Sequence, residues 1–335
     1  MEIIALADDL TGALEVGSKF AANGIGAHVG IGQRPPALSV IDTETRHLSP
    51  GDAARTIGWL LRDSDDVDLV YLKTDSTLRG NIGAELEALM RLYPDSPVIY
   101  APAYPAMGRT VKSGYLRVHG VPVHETSFAR DALNPIRTSF IPDVIPGGLA
   151  IRLFDGETED DIAAAAREIL GSSGCRIAAG PAALAEHLAR QIDLPRGPIA
   201  PLPAIRKCLV VSGSRHEISL RQIAHANAGG FCADGWSILS PPAYSRDPAG
   251  FARQIGLVVR DILEKMNLDA LIVFGGDTAF GVLDAFGRPV LTSIGEVLPG
   301  VPISRIDGRS LHLITKAGGF GDEDVLFRLK KVLHG

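Results

Sequence analysis

Cysteines and long apolar runs are scarce in this sequence, and each shortage excludes a class of protein. The chain has 335 residues and three cysteines, which lie far apart and match no metal-ligand spacing. Neither a disulfide scaffold nor a zinc site is therefore expected. No stretch approaches the roughly 20 apolar residues that span a bilayer, and no basic leader precedes the first apolar run. We expect no membrane partner and a cytoplasmic location.

Positive charge is also in short supply. The 33 basic side chains are outnumbered by 39 acidic ones, which gives a net charge of −6. Such a chain has no overall positive field to attract a polyanion, so nucleic acid is not an expected partner. A small anionic molecule could still bind wherever basic residues are concentrated locally.

Apolar surface, in contrast, is ample, because 46% of the residues are hydrophobic. The 335 residues exceed the roughly 250 that one core usually organises, so two domains are expected. Short apolar runs alternate with helical patterns such as the Ala-rich segments 160–170 and 181–191, which is typical of α/β layers. We predict an α/β fold of two domains, each with a largely parallel or mixed sheet and flanking helices, and a ligand cleft between them.

A proline-rich segment divides the chain. Residues 192–206 hold four prolines and lose the helical periodicity, and a new apolar run follows at 208–211. We therefore place the domains at 1–195 and 206–335, with a linker at 196–205. Closure of the domains across this linker is expected to expel water from the cleft.

Two adjacent carboxylates, Asp8 and Asp9, follow the first apolar run, and a helix is predicted to start at Thr11. Ligands bind at the carboxyl edge of open α/β sheets, where helix N-termini point into a crevice. A helix cap beside a solvated neighbour is the simpler interpretation of such a pair. If one aspartate is a catalytic base, we favour Asp9, because alternation along the strand turns it away from Asp8 and towards the helix start. Asp8 is the alternative base.

Two further polar loops follow apolar runs in the first half, at 73–81 and 102–110. The first combines a lysine with an arginine, which can hold an anion, although internal pairing in a solvated loop is the alternative. In the second, prolines and a glycine fix the backbone and so position polar side chains at little entropic cost. The candidate substrate ligands in these loops are Lys73, Asp75, Ser76, Arg79, Tyr104 and Arg109.

Three turns rich in small residues follow apolar runs in the second half. Small residues let backbone N–H groups approach phosphate oxygens, and a following helix adds its positive end. One glycine pair would usually mean only a tight turn, but three such turns favour a nucleotide site. We expect the backbone at Gly276 to approach phosphate closely, so a branched side chain there would weaken ATP binding and would forbid any positive φ. The candidate nucleotide ligands are Ser212, Gly213, Ser214, Gly275, Gly276, Asp277, Thr278, Gly318, Gly319 and Gly321.

Nine segments, in this order, resemble the four-carbon acid sugar kinases. They are ADDLTGA, KTDSTLRGN, PAYPAMGRTVKSGYLRVHGVPVHETSFARDALNP, FDGETEDDI, AGPAALAEHLA, SGS, GGDTA, GEVLPGVP and TKAGGFGDEDVL. The chain looks shorter than typical members, and it departs from their pattern at 215–217 and at Ala317. The resemblance implies an N-terminal acid-sugar domain, a C-terminal ATP domain, and phosphorylation of a tetronate such as threonate, erythronate or 3-oxo-tetronate at its terminal hydroxyl.

The resemblance also implies where the ligands bind: the nucleotide on the three small-residue turns, and the sugar acid near Asp9 and the first polar loop. On this basis we expect Arg79, with Lys73 or Arg109, to grip the substrate carboxylate. Asp9 would orient or deprotonate the attacking hydroxyl. Mg²⁺ would be held mainly by the ATP phosphates, with Asp277 as a direct or water-mediated partner.

Two other functions fit the same motifs. A regulatory module would bind sugar acid and nucleotide without transfer, and it would lack ATP hydrolysis that depends on an added tetronate. A ligase acting on the carboxylate would form an acyl phosphate that hydroxylamine traps. The paired aspartates and the three small-residue turns favour the kinase. A homo-oligomer is compatible with the sequence.

Overall fold

The first half of the chain builds a parallel β-sheet flanked by helices. The structure is a computed structural model that describes residues 1–35, 38–64, 66–131, 133–145, 149–240 and 248–334. The strands of the first half are β1 (Ile3–Ala7), β2 (Ala27–Ile31), β3 (Leu38–Asp42), β4 (Leu69–Lys73), β5 (Val98–Tyr100), β6 (Arg109–Lys112), β7 (Tyr115–Val118), β8 (Val121–Pro122), β9 (Ile151–Leu153) and β10 (Ile177–Gly180). Its helices are α1 (Leu10–Ala21), α2 (Pro50–Leu60), α3 (Ile82–Leu92), α4 (Glu159–Gly171) and α5 (Ala182–Gln191).

The second half repeats this α/β arrangement with a mixed sheet. Its strands are β11 (Cys208–Ser212), β12 (Trp236–Leu239), β13 (Ala270–Phe274), β14 (Leu291–Leu298), β15 (Val301–Ile306) and β16 (His312–Lys316). Its helices are α6 (Glu217–Ala228), α7 (Pro248–Lys265), α8 (Gly276–Ala285) and α9 (Val325–Leu333). Among the helices that the structure describes, none is both long enough and apolar enough to cross a membrane.

The sheets of the two halves join into one. The strand order is β12-β11-β13-β16-β15-β14-β2-β3-β1-β4-β10-β5-β9, a 13-stranded sheet, and β6-β7-β8 form a separate antiparallel sheet. The junction is the antiparallel pair β2 and β14, where Leu291 faces Val29 and Thr292 faces His28. The predicted α/β class and flanking helices are confirmed, and the halves are in addition continuous through backbone hydrogen bonds.

Local sequence explains most of these elements. The strands β1 and β4 are buried on both faces, as expected for central parallel strands with helices on each side. The helix predicted over 160–170 is α4, which begins with a capping box between Thr158 and Asp161. The helix predicted over 181–191 is α5, and the one predicted to start at Thr11 begins one residue earlier.

The proline-rich segment contains no helix or strand, and its beginning is tied to the first half. Arg196 donates from Nη1 to the Asn23 carbonyl at 2.8 Å, and from Nη2 to the Ala189 carbonyl at 2.8 Å. The Gly197 amide donates to the Gly24 carbonyl at 2.8 Å. The domain limits at 195 and 206 remain predictions, and α5 and β11 flank the segment as those limits require.

The helices α7 and α8 pack with unusually close backbones. A Cβ atom on Gly256 of α7 would overlap the carbonyl oxygen of Gly281 on α8, and a Cβ on Gly281 would overlap the carbonyl oxygen of Ala252. Both positions therefore require glycine because of space. Since α8 begins at Gly276, this contact helps to place the N-terminus of α8.

We expect Gly256→Ala to lower the free energy of unfolding by roughly 1–3 kcal/mol, because the helices must separate to accept the methyl group. Gly58 is a matched control: it lies within α2, and a Cβ there meets nothing within 4 Å. Gly58→Ala should instead stabilise the protein by about 0.5–1 kcal/mol, since alanine favours helix. Urea titrations of both variants measure the difference, and equal stabilisation by both would contradict the close packing.

Candidate active site

The carboxyl ends of β1, β3 and β4 lie side by side because these strands are adjacent and parallel. Their loops carry Asp8 and Asp9, Arg46, and Asp75. Asp9 also caps α1, where its Oδ1 accepts a hydrogen bond from the Gly12 amide at 2.8 Å. The strand order thus brings the sequence-predicted aspartates of two separate loops to one edge of the sheet.

An arginine whose side chain is 11% exposed neutralises these aspartates. Arg46 binds both oxygens of Asp8, from Nε at 2.7 Å and from Nη2 at 2.8 Å, and its Nη1 contacts Asp9 Oδ2 at 2.5 Å. Asp75 Oδ2 lies 3.6 Å from Nη2. Burial alone would lower the pKa of Arg46, but the three carboxylates together hold it well above its usual value. Arg46 is therefore a permanent cation at the centre of the site.

Arg46 is not among the sequence-predicted site residues, although a signal for it exists. The polar run 42–46 follows β3 as the other polar loops follow β1 and β4. In the same run, Glu44 has a φ of 50°, which is rare outside glycine, and burial raises the pKa of its carboxyl to about 7. Glu85 accepts a hydrogen bond from Thr45, and burial likewise raises its pKa to about 7. Partial protonation of these two carboxyls reduces the negative charge at this edge.

Arg79 is already paired. Its Nη2 and Nε contact the two oxygens of Asp75 at 2.8 and 3.1 Å, and its Nη1 lies 3.3 Å from Asp131 Oδ2. Burial by itself would raise the pKa of Asp75, but Arg79 and Arg46 hold it well below its usual range. Ser76 follows in the same loop and is half-buried. A substrate carboxylate at Arg79 would therefore compete with two protein carboxylates.

Lys73 and Tyr104 lie against helix α1. Lys73 is buried and donates from Nζ to the Thr74 carbonyl at 3.1 Å, and a Cβ on Gly12 would lie 3.1 Å from the same Nζ. The Tyr104 hydroxyl donates to Glu15 Oε1 at 3.1 Å, and burial raises the pKa of Glu15. Both predicted ligands thus sit beside the first turns of the helix that Asp9 caps.

Arg109 differs from Arg46 and Arg79, because no carboxylate among the described residues pairs with it. Its Nη1 donates to the Met107 carbonyl, while its Nε is buried without a hydrogen-bond partner. Over the described ranges, no acidic side chain lies within 4 Å of its guanidinium. Burial lowers the pKa of Arg109, and the more distant charges of Asp75 and Glu15 oppose this only in part. An incoming anion would satisfy this group.

The three small-residue turns of the second half converge. A Cβ on Gly213 would overlap Thr278 Oγ1, one on Gly275 would lie 3.6 Å from Ser214 Cβ, and one on Gly318 would lie 2.6 Å from Ser214 Oγ. Gly275 has a φ of 97°, which only glycine adopts readily. The turns after β11, β13 and β16 therefore form one surface of closely approaching backbones.

Gly276 joins the two halves of the candidate site. It is the first residue of α8 and has no positive φ, whereas Gly275 before it has one. A Cβ on Gly276 would lie 2.9 Å from Thr11 Oγ1 and 3.7 Å from Asp9 Oδ2. Asp277 follows, exposed, in the first turn of α8. The N-termini of α1 and α8 thus lie against each other, which brings the loops of the two halves together.

The remaining nucleotide candidates lie around the same surface. Ser212 ends β11 and is buried. A Cβ on Gly319 would lie 2.9 Å from Nε2 of His216, one of the residues that depart from the family pattern. The Gly321 carbonyl accepts a hydrogen bond from Gln222 at 3.0 Å. His216 therefore covers the glycine turn after β16 from outside, and Gln222 holds it from inside.

Comparisons with known proteins agree with this division into halves. Residues 3–150 match the profile of a sugar-binding N-terminal domain, and residues 242–326 match that of a nucleotide-binding C-terminal domain. A D-threonate kinase of Salmonella typhimurium is 29% identical over an alignment of 420 positions that covers 97% of each chain. A 3-oxo-tetronate kinase of Brucella melitensis is 25% identical, over 100% of this chain and 96% of its own. Because the first alignment is longer than this chain of 335 residues, that relative contains segments that this chain lacks.

Solved structures share the fold. A crystal structure from Salmonella typhimurium LT2 superposes with a TM-score of 0.80 at 22% identity and covers 99% of both chains. A Bordetella bronchiseptica protein, solved with bound citrate as a domain-swapped dimer, is 28% identical and has a TM-score of 0.52 over 99% of this chain and 98% of its own. The chain is thus similar over nearly its whole length to kinases of four-carbon acid sugars, and it matches a sugar-binding domain in its first half and a nucleotide-binding domain in its second.

Proposed function

We propose that this protein is an ATP-dependent kinase that phosphorylates the terminal hydroxyl of a four-carbon acid sugar of the threonate, erythronate or 3-oxo-tetronate type. The observation that carries the proposal is the proximity of Gly276 to Asp9 and Thr11, because it brings the nucleotide turns and the sugar-acid loops into one cleft. Phosphoryl transfer needs mainly alignment and charge neutralisation, which such a cleft provides. Relatives named as tetronate kinases over their full length support the same substrate class.

Asp9 is the residue that we assign to the attacking hydroxyl. Its side chain is 23% exposed, whereas that of Asp8 is 3% exposed and has both oxygens on Arg46. Asp9 shares only Oδ2 with Arg46, and it faces the N-terminus of α8. Asp9 therefore orients the hydroxyl and accepts its proton, while Asp8 holds Arg46 in place.

Mg²⁺ is the cation that we expect with ATP. The described residues contain no cluster of three or more His, Cys, Asp or Glu side chains that could hold a metal alone. The exposed carboxylate of Asp277 fits a supporting role, since Mg²⁺ usually binds one or two carboxylates together with substrate phosphates. The ion would neutralise phosphate charge, and Asp277 would position it directly or through water.

For the substrate carboxylate, the contacts favour Arg109 and Lys73 over Arg79. Arg79 already has Asp75 and Asp131, whereas Arg109 is half-buried, its Nε is fully buried, and it has no acidic partner among the described residues. Lys73 uses one donor for a carbonyl and lies beside α1. A carboxylate between Arg109 and Lys73 would satisfy unused donors without displacing a protein carboxylate.

A dimer and a cytoplasmic location are further parts of the proposal. The domain-swapped Bordetella bronchiseptica relative superposes with a TM-score of only 0.52, although a structure of lower identity reaches 0.80, as expected if swapping moves one half of its chain. The segment 196–205 could serve as the hinge of such a swap. Light scattering on a sizing column should give twice the monomer mass of 35.4 kDa, and a monomer at all concentrations would contradict the dimer.

The cytoplasmic location is supported by the free thiols of the three cysteines and by the need for ATP.

The direct test of the function is a panel of four-carbon acids with ATP and Mg²⁺, read by ADP release and by the mass of the product. One tetronate should yield ADP and its phosphorylated product in equal molar amounts. ADP release without a phosphorylated acid, or a product that hydroxylamine traps as a hydroxamate, would contradict the kinase.

Asp9→Asn should lower kcat by about 10²–10⁴-fold, the usual contribution of a general base, with little change in KM for ATP. Asparagine can still cap α1, so the melting temperature should stay close to that of the wild type. Asp8→Asn is the matched control, and it should mainly lower stability, because it breaks a buried ion pair with Arg46. Near-wild-type kcat in Asp9→Asn, with collapse in a folded Asp8→Asn protein, would reverse the assignment.

Arg109→Gln should raise KM for the acid by about tenfold or more, because a charge-assisted contact is lost. The neutral alditol, which lacks the carboxylate, should be affected little. Arg79→Gln is the comparison variant and should chiefly lower the melting temperature, since Asp75 loses its bidentate partner. A KM effect that is specific for the acid in Arg79→Gln but absent in Arg109→Gln would show that Arg79 reads the carboxylate.

A further inference from the structure

A buried lysine lies beneath the glycine turn that follows β16. Lys316 is 1% exposed, and its Nζ donates to the carbonyls of Ala317 at 2.8 Å, Gly318 at 3.4 Å and Phe320 at 2.9 Å. The ammonium also lies 4.3 Å from the ring centroid of Phe274. All of its donors are therefore directed at backbone carbonyls and an aromatic face within the protein.

Among the residues that the structure describes, no carboxylate balances the charge of Lys316. Of the acidic side chains that the structure describes, none lies within 4 Å of Nζ, and burial lowers the pKa of Lys316 to about 7. A buried cation without a counterion is costly, so a purely structural role would be served better by a neutral side chain. What distinguishes Lys316 is its set of three hydrogen bonds to the carbonyls of the turn.

Two side chains of α6 act on the same turn. Ser219 Oγ donates to the Gly318 carbonyl at 2.6 Å. Gln222 Nε2 donates to the carbonyls of Phe320 at 2.9 Å, Gly321 at 3.0 Å and Asp322 at 2.8 Å. Lys316, Ser219 and Gln222 thus bind five carbonyls between residues 317 and 322 from the interior side.

Carbonyls held inward turn the following amides outward, because the C=O and N–H of a trans peptide point in opposite directions. The outer side of the turn faces Ser214 and His216, where a Cβ on Gly318 would lie 2.6 Å from Ser214 Oγ and one on Gly319 would lie 2.9 Å from His216 Nε2. Successive outward N–H groups form a concave anion site. This is the surface to which the proposed function assigns the nucleotide phosphates.

We propose that Lys316 is a positioning residue of the nucleotide site, which presents the amides of Gly318, Gly319 and Gly321 to the ATP phosphates by binding the carbonyls behind them. Lys316 acts without touching the nucleotide, and Gln222 acts in the same way. This inference rests on the proposed function, since it presumes that this surface binds ADP and ATP.

The test is calorimetric titration of the full chain with ADP in the presence of Mg²⁺. Lys316→Met should raise Kd for ADP by about tenfold or more, and Gln222→Met should raise it in the same direction, because both release carbonyls of the turn. Lys316→Arg, which keeps the charge and donors, should recover affinity to within about threefold. KM for the sugar acid should change little, and this split separates positioning from general loss of fold.

Lys330 provides a matched control. It too is a lysine that donates to carbonyls, those of Phe231 at 3.1 Å and Ala233 at 3.0 Å, and it lies near aromatic rings. These carbonyls are remote from the glycine turn in sequence, so Lys330→Met should leave Kd for ADP unchanged. Thermal melts of every variant identify any that is unfolded. If Lys316→Met does not fold, the Kd values for ADP of Lys316→Arg and Gln222→Met decide the test.

Two results would overturn this inference but leave the proposed function intact. Wild-type affinity for ADP in a folded Lys316→Met protein would show that the turn needs no lysine. A loss of affinity in Lys316→Met, with none in Gln222→Met, would show that Lys316 contacts phosphate directly. Absence of ADP binding by the wild-type protein itself would instead refute the nucleotide site of the proposed function, and the inference with it.

Discussion

The interaction on which the site depends is the buried ion pairing of Arg46 with Asp8, Asp9 and Asp75. Parallel strands bring their carboxyl ends together, so the aspartates that follow β1 and β4 become neighbours and repel one another. One guanidinium between them offsets this repulsion and fixes the three loops relative to each other. Because the pairing leaves Asp9 partly exposed and capping α1, the same contact that stabilises the edge also places the proposed base.

Helix α1 carries this arrangement to the other half of the chain. A Cβ on Gly17 would overlap Ser293 Oγ, so α1 and β14 are in close contact. Lys19 lies 3.0 Å from both Glu186 and Glu296, which links α1 to α5 and to β14. Helix α1 is therefore part of the first half of the sequence, but it packs against elements of both halves. Its N-terminus can face Gly276 because its C-terminal turns are anchored on the nucleotide half.

Local sequence signals were enough to propose most residues of the candidate site, but contacts between distant residues could not be predicted. Polar loops after apolar runs and small residues before helices indicated the aspartates, the basic residues and the three glycine turns. Arg46 was not identified from the sequence, because its contacts with the aspartates depend on the register of β1 against β3. The second carboxylate partner of Arg79, Asp131, was not predicted either, because it lies 52 residues away in the sequence. The single continuous sheet depends on pairing of β2 with β14, whose residues are more than 260 positions apart, as Thr292 and His28 show.

The pairing of β2 with β14 also determines the order in which the chain can complete its sheet during synthesis. Domains fold as units as the chain emerges, N-terminal first. The edge of β2 therefore stays unpaired until β14, at Leu291–Leu298, has left the ribosome. An unpaired strand edge accepts any matching strand, and the β14 of a neighbouring nascent chain matches it as well as its own. The strand that makes the sheet of the monomer continuous is thus also the one whose late synthesis leaves the edge of β2 uncovered longest.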